Sequence, residues 1–126
     1  MKKNIDLKPY NTLQVACKAK YFVEIESTYQ LLQLLETAEW NAEKHWILWW
    51  GSNTLFTRDF FDGIVVKLQI KGIKILKETD ETVEVQVGAG EIRDDFVKHC
   101  IKNQWWWVEN LISIPGNVGT SAVSNI

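Results

Sequence analysis

Ile47-Leu48-Trp49-Trp50-Gly51-Ser52-Asn53-Thr54-Leu55-Phe56 is an apolar run that enters a short polar turn and returns to apolar residues. It reads as a strand over Trp46 to Trp50 ending in a tight turn, a place where main-chain amides are free to hold a phosphate. A small residue there lets a ligand come close to the backbone. Trp49 and Trp50 place the two bulkiest side chains at that position instead.

Upstream, Leu7 to Asn11 is a polar, proline-punctuated lead-in, and Thr12 to Cys17 alternates as a strand does before Lys18-Ala19-Lys20 breaks the pattern. Tyr21 to Ile25, β-branched and aromatic, reads as a second strand. Ser27 is a good N-cap, and Leu31, Leu32, Leu34 and Leu35 give the spacing of an amphipathic helix reaching about Ala38. Strand, helix and strand within some thirty residues predict a βαβ unit with a right-handed crossover. Ligands of such a unit favour the carboxyl end of a strand, where Gly51-Ser52-Asn53 stands.

Downstream, Asp59 to Gly63 reads as a turn and Ile64 to Leu68 as a strand. Ile73 to Lys77 and Thr82 to Val87 flank Asp80-Glu81 and predict an antiparallel hairpin, with Val83, Val85 and Val87 on one face. Gly88-Ala89-Gly90 then opens a helix marked by Ile92, Phe96, Val97, Cys100 and Ile101, ending near Asn103. The first lobe is expected to end near Gln69, with Ile70 to Gly72 as the joint, giving lobes of 1–69 and 70–126.

The 126 residues suffice for one domain or two small lobes. A formal charge of -2 and a pI near 5.7 supply no basic field for nucleic acid. Cys17 and Cys100 belong to no metal-type spacing, so neither a disulfide framework nor a metal site is indicated. No run approaches a membrane span and the N-terminus lacks an apolar leader core, so a soluble protein without a membrane partner is expected. The two cysteines fit a reduced cytoplasmic setting, and a monomer without nucleic-acid partners is expected. Seven tryptophans are the anomaly, because five of them fall in the clusters 49–50 and 105–107.

Three glycine-containing turns could expose amides to a polyphosphate-bearing ligand: Gly51-Ser52-Asn53, Gly88-Ala89-Gly90, and Pro115-Gly116 followed by Gly119-Thr120-Ser121. The plain reading of each is a tight connection. His45 and His99 have no local metal-ligand partner, Ser52 has no neighbouring base, and Asp94-Asp95 reads as the solvated face of a helix.

Taken together, three stretches resemble the UDP-N-acetylenolpyruvoylglucosamine reductase family. Asn11-Thr12-Leu13 looks like the family's Asn-Thr-Phe, and Ile47 to Phe56 looks like its Ile-Leu-Gly-Gly-Gly-Ser-Asn-x-Leu-Phe. Val108-Glu109-Asn110-Leu111-Ile112-Ser113-Ile114-Pro115-Gly116-Asn117-Val118-Gly119 is similar to its x-Glu-Asn-Leu-x-x-Ile-Pro-Gly-x-Val-Gly. Lys71-Gly72-Ile73 and Val87 to Glu91 fall in family order between them.

The resemblance implies an α+β chain with the two-lobed FAD-binding fold of the vanillyl-alcohol-oxidase (PCMH) type, a small βαβ lobe followed by an incomplete, mainly antiparallel one. It implies FAD as cofactor, held by Trp49, Trp50, Gly51, Ser52, Asn53, Gly88, Gly90, Ile114, Pro115, Gly116, Gly119, Thr120, Ser121 and Asn125. In the family, NADPH reduces the flavin and the flavin reduces the enolpyruvyl group of a UDP-sugar during peptidoglycan synthesis. The catalytic arginine, proton-donating serine and late glutamate lie beyond the position matching Ile126, with the substrate domain. No catalytic residue is therefore carried over, and the chain as written should not turn over. The rival readings are a non-catalytic apo domain using its tryptophans for protein contact, and another FAD-dependent oxidoreductase of this fold.

Two further departures stand out. Proline and glutamine of the family are replaced at Ala122 and Ser124, and family glycines are replaced at Trp49, Trp50, Trp106 and Trp107. A tryptophan held at positive φ costs about 1–2 kcal/mol per site. Tryptophan and glycine codons differ by one base, and UGA is read as glycine in some genetic codes and tryptophan in others. Four tryptophans at four expected glycines fit such a decoding mismatch, and coding DNA carrying UGG at all four would refute it.

Overall fold

The computed structural model describes residues 1–52 and 54–123, in two compact units, Met1–Gln69 and Ile70–Ile126. The first holds a four-stranded sheet in the order β1-β2-β4-β3, built from β1 (Lys2–Asp6), β2 (Lys18–Ile25), β3 (Lys44–Leu48) and β4 (Phe60–Leu68). β1 runs antiparallel to β2, whereas β4 is parallel to both of its neighbours. A strand with parallel neighbours on both sides tends to carry a near-continuous apolar run. Ile64, Val65 and Val66, at the centre of β4, are accordingly all buried.

Between β2 and β3 the chain forms α1 (Thr28–Leu35) and α2 (Ala38–Ala42). Ser27 caps α1, its Oγ accepting from the Gln30 amide at 3.2 Å, as the sequence predicts. The helix stops at Leu35, short of Ala38, because Thr37 starts a second one: its hydroxyl accepts from the Trp40 amide while donating to the Leu34 carbonyl. The strand-helix-strand unit is present, but β4 lies between its two strands, so β2 and β3 are not neighbours.

Four local expectations are corrected. Thr12 to Cys17 is a loop, because the buried Asn11 side chain supplies the bonds a strand neighbour would. Its Nδ2 donates to the Leu7 and Val15 carbonyls at 2.8 and 3.0 Å, and its Oδ1 accepts from the Val15 amide at 3.0 Å. Lys18 to Lys20, read as a break, begins β2, with Ala19 fully buried. Phe60 to Gly63, read as part of a turn, is the first half of β4, recruited by pairing of Lys18 with Phe60 and Ala19 with Phe61. β3 runs over Lys44–Leu48 rather than Trp46 to Trp50, so Trp49 and Trp50 lie in the bend after the strand. Leu48, Val65, Phe22 and Ala19 form a core with Leu7 and Cys17, Ala19 and Phe22 sharing it across the register shift between Ala19 and Tyr21.

The second unit has an antiparallel hairpin of β5 (Ile73–Glu78) and β6 (Val83–Val87), then α3 (Arg93–Lys102), and single 3-10 turns at Glu109–Leu111 and Val118–Ala122. The hairpin and the helix are where the sequence places them. Val83, Val85 and Val87 are half-buried and alternate with exposed Glu84 and Gln86. Thr79 closes the hairpin turn, its amide donating to the Thr82 carbonyl at 2.8 Å. α3 buries Arg93, Val97 and Cys100, and the chain leaves it through Gln104 at φ 61°, a left-handed exit common at helix ends.

Candidate cofactor site

In the first unit the expected residues cluster at the turn after β3. Gly51 sits there at φ 76°, and any Cβ on it would fall against the Tyr10 carbonyl oxygen and lie 2.9 Å from Asn11 Cα. Only glycine lets the Tyr10–Asn11 segment close over the turn. The Thr12 amide and hydroxyl both donate to the Gly51 carbonyl at 3.2 Å. The Asn-Thr pair is thus structural here: Asn11 knits the 7–15 loop and Thr12 buttresses the turn.

With the Gly51 carbonyl so engaged, the amides of Trp50, Gly51 and Ser52 have no acceptor among the described residues. That donor set fits an anionic oxygen at the end of a parallel strand. Trp49 is half-buried and Trp50 is 46% exposed at the same turn. Asn53 and Asn125 lie outside the described residues.

In the second unit the structure brings the two remaining turns together. Val118 donates its amide to the Glu91 carbonyl at 2.8 Å and Gly119 to that of Ala89 at 3.0 Å, while Asn117 Nδ2 donates to the Gly90 carbonyl at 2.9 Å. The amides of Gly88 and Gly90 are themselves spent on the carbonyls of Gly72 and Ile70, both at 2.8 Å. Gly88 and Gly90 therefore offer no amide to a ligand. Glycine at 88 serves packing, since a Cβ there would sit 2.7 Å from the Lys71 carbonyl carbon. Gly119 is likewise committed, and Thr120 donates its amide to the Asn117 carbonyl at 3.1 Å. What the 114–121 loop leaves free, among the described residues, are the amides of Gly116 and Asn117.

One residue at this loop escapes a reading of the sequence. Arg93, 2% exposed, opens α3 and runs its guanidinium beneath the loop. Nη1 donates to the Pro115 carbonyl at 3.3 Å and that of Ile114 at 3.5 Å. Nη2 donates to Thr120 Oγ1 at 2.5 Å, the Asn117 carbonyl at 3.4 Å and Ser121 Oγ at 3.5 Å. Its Nε, also buried, has no partner among the described residues. A lone arginine in a helix's first turn ordinarily reads as solvated, and no local pattern announces its burial. Asp94, read as solvated, accepts the Ser113 amide at 2.8 Å and ties down the approach to Ile114. Asp95 stays exposed beside Lys98.

The tryptophans separate on inspection. Of those replacing expected glycines only Trp107 lies at positive φ, at 81°, and it is 90% exposed. Trp49, Trp50 and Trp106 have φ values any residue adopts, so the backbone strain falls on one site and not four. Trp105 stands half-buried, edge-on to His99 at 5.5 Å, and His45 stacks on Trp40 at 4.0 Å, which gives both histidines packing partners. Burial pushes the Cys17 and Cys100 thiols up, leaving them poor nucleophiles. A separate cleft of about 190 Å³ in the first unit is lined by Cys17, Trp46, Phe56, Arg58 and Phe61 among others, and holds none of the expected ligand-binding residues. No helix among the described residues is long and apolar enough to cross a membrane.

Residues 19–126 match a family described as FAD binding domain. The chain is 44% identical over 123 residues to the UDP-N-acetylenolpyruvoylglucosamine reductase of Flavobacterium johnsoniae, a match that takes in 98% of this chain and 36% of the relative. It is 38% identical over 126 residues to the reductase of the same name from Bacteroides fragilis, covering 100% of this chain and 37% of that one. With the Chromobacterium violaceum reductase it shares 39% over 123 residues, 98% of this chain and 36% of the relative. The crystal structure of UDP-N-acetylenolpyruvylglucosamine reductase from Thermus caldophilus superposes with a TM-score of 0.66 at 24% identity, over 91% of this chain and 38% of that one, which shows a common fold. The chain thus spans a little over a third of the length of these relatives. With the matched region running from β2 to its last residue, the chain belongs to the FAD binding domain family, and FAD is its cofactor.

Proposed function

We propose that this chain is the FAD-holding part of a UDP-N-acetylenolpyruvoylglucosamine reductase, with 1–69 as a first cofactor lobe and 70–126 as a second. The observation that carries the reading is identity of 38–44% to three reductases of that name along essentially the whole chain. The activity, with NADPH as reductant, a UDP-sugar enolpyruvyl ether as substrate and peptidoglycan synthesis as its setting, belongs on this reading to the longer protein. Its place is the cytoplasm, a reducing compartment in keeping with two free, buried cysteines.

Bound FAD supplies the two-electron redox chemistry, and the protein's part is to hold and orient it. At the turn after β3 the free amides of Trp50, Gly51 and Ser52 are suited to a pyrophosphate oxygen, with Asn53 completing the motif. In the second unit the amides of Gly116 and Asn117 are the donors left for the cofactor. Ile114, Pro115, Thr120 and Ser121 shape the loop that carries them, and Gly88 and Gly90 serve by seating it.

A rival reading, an apo domain that engages another protein, is favoured by one observation: Trp106 and Trp107 are 60% and 90% exposed, more than a monomer's surface usually grants such side chains. Titrating the purified chain with FAD separates the two. Quenched flavin fluorescence at micromolar protein is the expected result. Flavin that stays free at that concentration would overturn the cofactor reading in favour of the rival.

A further inference from the structure

We propose that Arg93 is a positioning residue for the loop carrying Gly116 and Asn117, acting through both its main chain and its guanidinium. The inference rests on the cofactor reading above. A trans peptide holds its carbonyl and the following N–H on opposite sides. Fixing a carbonyl therefore aims the next amide the other way. Arg93 fixes the two carbonyls that matter: its main-chain amide donates to the Gly116 carbonyl at 3.0 Å, which turns the Asn117 N–H away from α3. Its Nη1 donates to the Pro115 carbonyl at 3.3 Å, which turns the Gly116 N–H away in the same manner. These are the two amides of the loop that no acceptor among the described residues takes up.

The remaining guanidinium contacts lock this arrangement. Nη2 reaches Thr120 Oγ1 at 2.5 Å, and that hydroxyl donates on to the Asn117 carbonyl at 2.6 Å, closing a ring of bonds across the loop. None of the ion pairs among the described residues includes Arg93, so the buried charge is solvated by carbonyl and hydroxyl dipoles alone. A planar fork suits carbonyls spread along one loop, where an ammonium, a point charge on a flexible stem, does not. A loop held this way presents its two free N–H groups preformed to acceptor atoms of FAD.

The test is Arg93→Lys in the full chain, read by FAD titration and by amide exchange. Charge is kept and the fork is lost. Hydrogen bonds to a charged group carry enough free energy that about a tenfold rise in the FAD Kd is expected, with Val118 to Thr120 amides exchanging about tenfold faster. Amides of α3 and of the β5–β6 hairpin should exchange as in the parent, which a merely structural loss would not allow. In the parent, FAD should slow exchange at Gly116 and Asn117, and that protection should be lost in the variant. Should Arg93→Lys fail to fold, Thr120→Val, which removes only the bridging hydroxyl, should move both readouts the same way by about threefold. Parent-like affinity and loop exchange in the folded variant overturn the inference alone. A parent that takes no FAD overturns the proposed function, and the inference falls with it.

Discussion

The turn after β3 and the 114–121 loop are both glycine-containing segments with similar sequence signatures, yet they are built in opposite ways. At the first, a single glycine lets the backbone of Tyr10 and Asn11 close in, Thr12 takes the carbonyl, and three successive amides are left without an acceptor among the described residues. At the second, the amides of Val118 and Gly119 are spent on the 88–91 turn, and a buried guanidinium gathers the carbonyls. One is shaped by what is missing from a side chain and the other by what a side chain supplies. Counting glycines does not reveal how many donors a turn offers; the number depends on which carbonyls the rest of the fold engages.

The sharpest way to break this contrast is Gly51→Ala. The new Cβ would meet the Tyr10 carbonyl at a φ of 76°, so overpacking and left-handed strain act together, and a loss of about 3 kcal/mol in denaturant unfolding is expected. A loss under about 1 kcal/mol would mean that the turn yields and is not fixed by close approach.

A smaller effect of opposite sign is expected at Trp107. Changing Trp107→Gly removes a side chain that is 90% exposed and relieves φ 81°, so a gain of about 1 kcal/mol is expected, seen as a higher unfolding midpoint. The same exchange at Trp106, which carries no such strain, should give no gain. A gain at both would show that exposure and not backbone conformation is what matters, and a gain at 107 alone would agree with glycine being the residue that this backbone was built for.

The smallest effect lies at Lys20, on the first unit's sheet. Its ammonium is held above its ordinary pKa by hydrogen bonds to Glu43 at 2.6 Å and Asp62 at 3.1 Å. A pKa raised on folding stabilises the protein fully below the unfolded lysine's pKa, and that contribution is lost as pH rises through the higher folded value. Parent and Lys20→Met should therefore differ most near neutral pH and converge in strong alkali, and a difference that widens with pH would refute the pairing.

Much of the architecture was legible in the residues. Ser27 followed by leucines at helical spacing, the alternating valines of β6 and the apolar stripe of α3 are local patterns, and each became the element it predicts. Where reading failed, a distant partner had intervened. Thr12 to Cys17 alternates like a strand, but Asn11 satisfies its backbone from within. Phe60 to Gly63 looks like a turn, but β2 recruits it. Among the candidate site residues, the segments were identifiable by resemblance, while the donors each actually offers were not. Gly88, Gly90 and Gly119 look as available as Gly51, and hydrogen bonds to residues as much as thirty positions away decide otherwise.

By itself, then, the sequence determined the kinds of element, the family likeness and the two segments on which a cofactor reading rests, because periodicity and motif spacing are properties of neighbouring residues. The tertiary structure alone decided that β4 enters the sheet between β2 and β3, that strain falls on Trp107 and not on its three counterparts, and that Arg93 is buried beneath a loop more than twenty residues further on. Strand partners, φ values and the solvation of a buried charge are set by contacts that close only when distant parts of the chain meet, and no local pattern carries them.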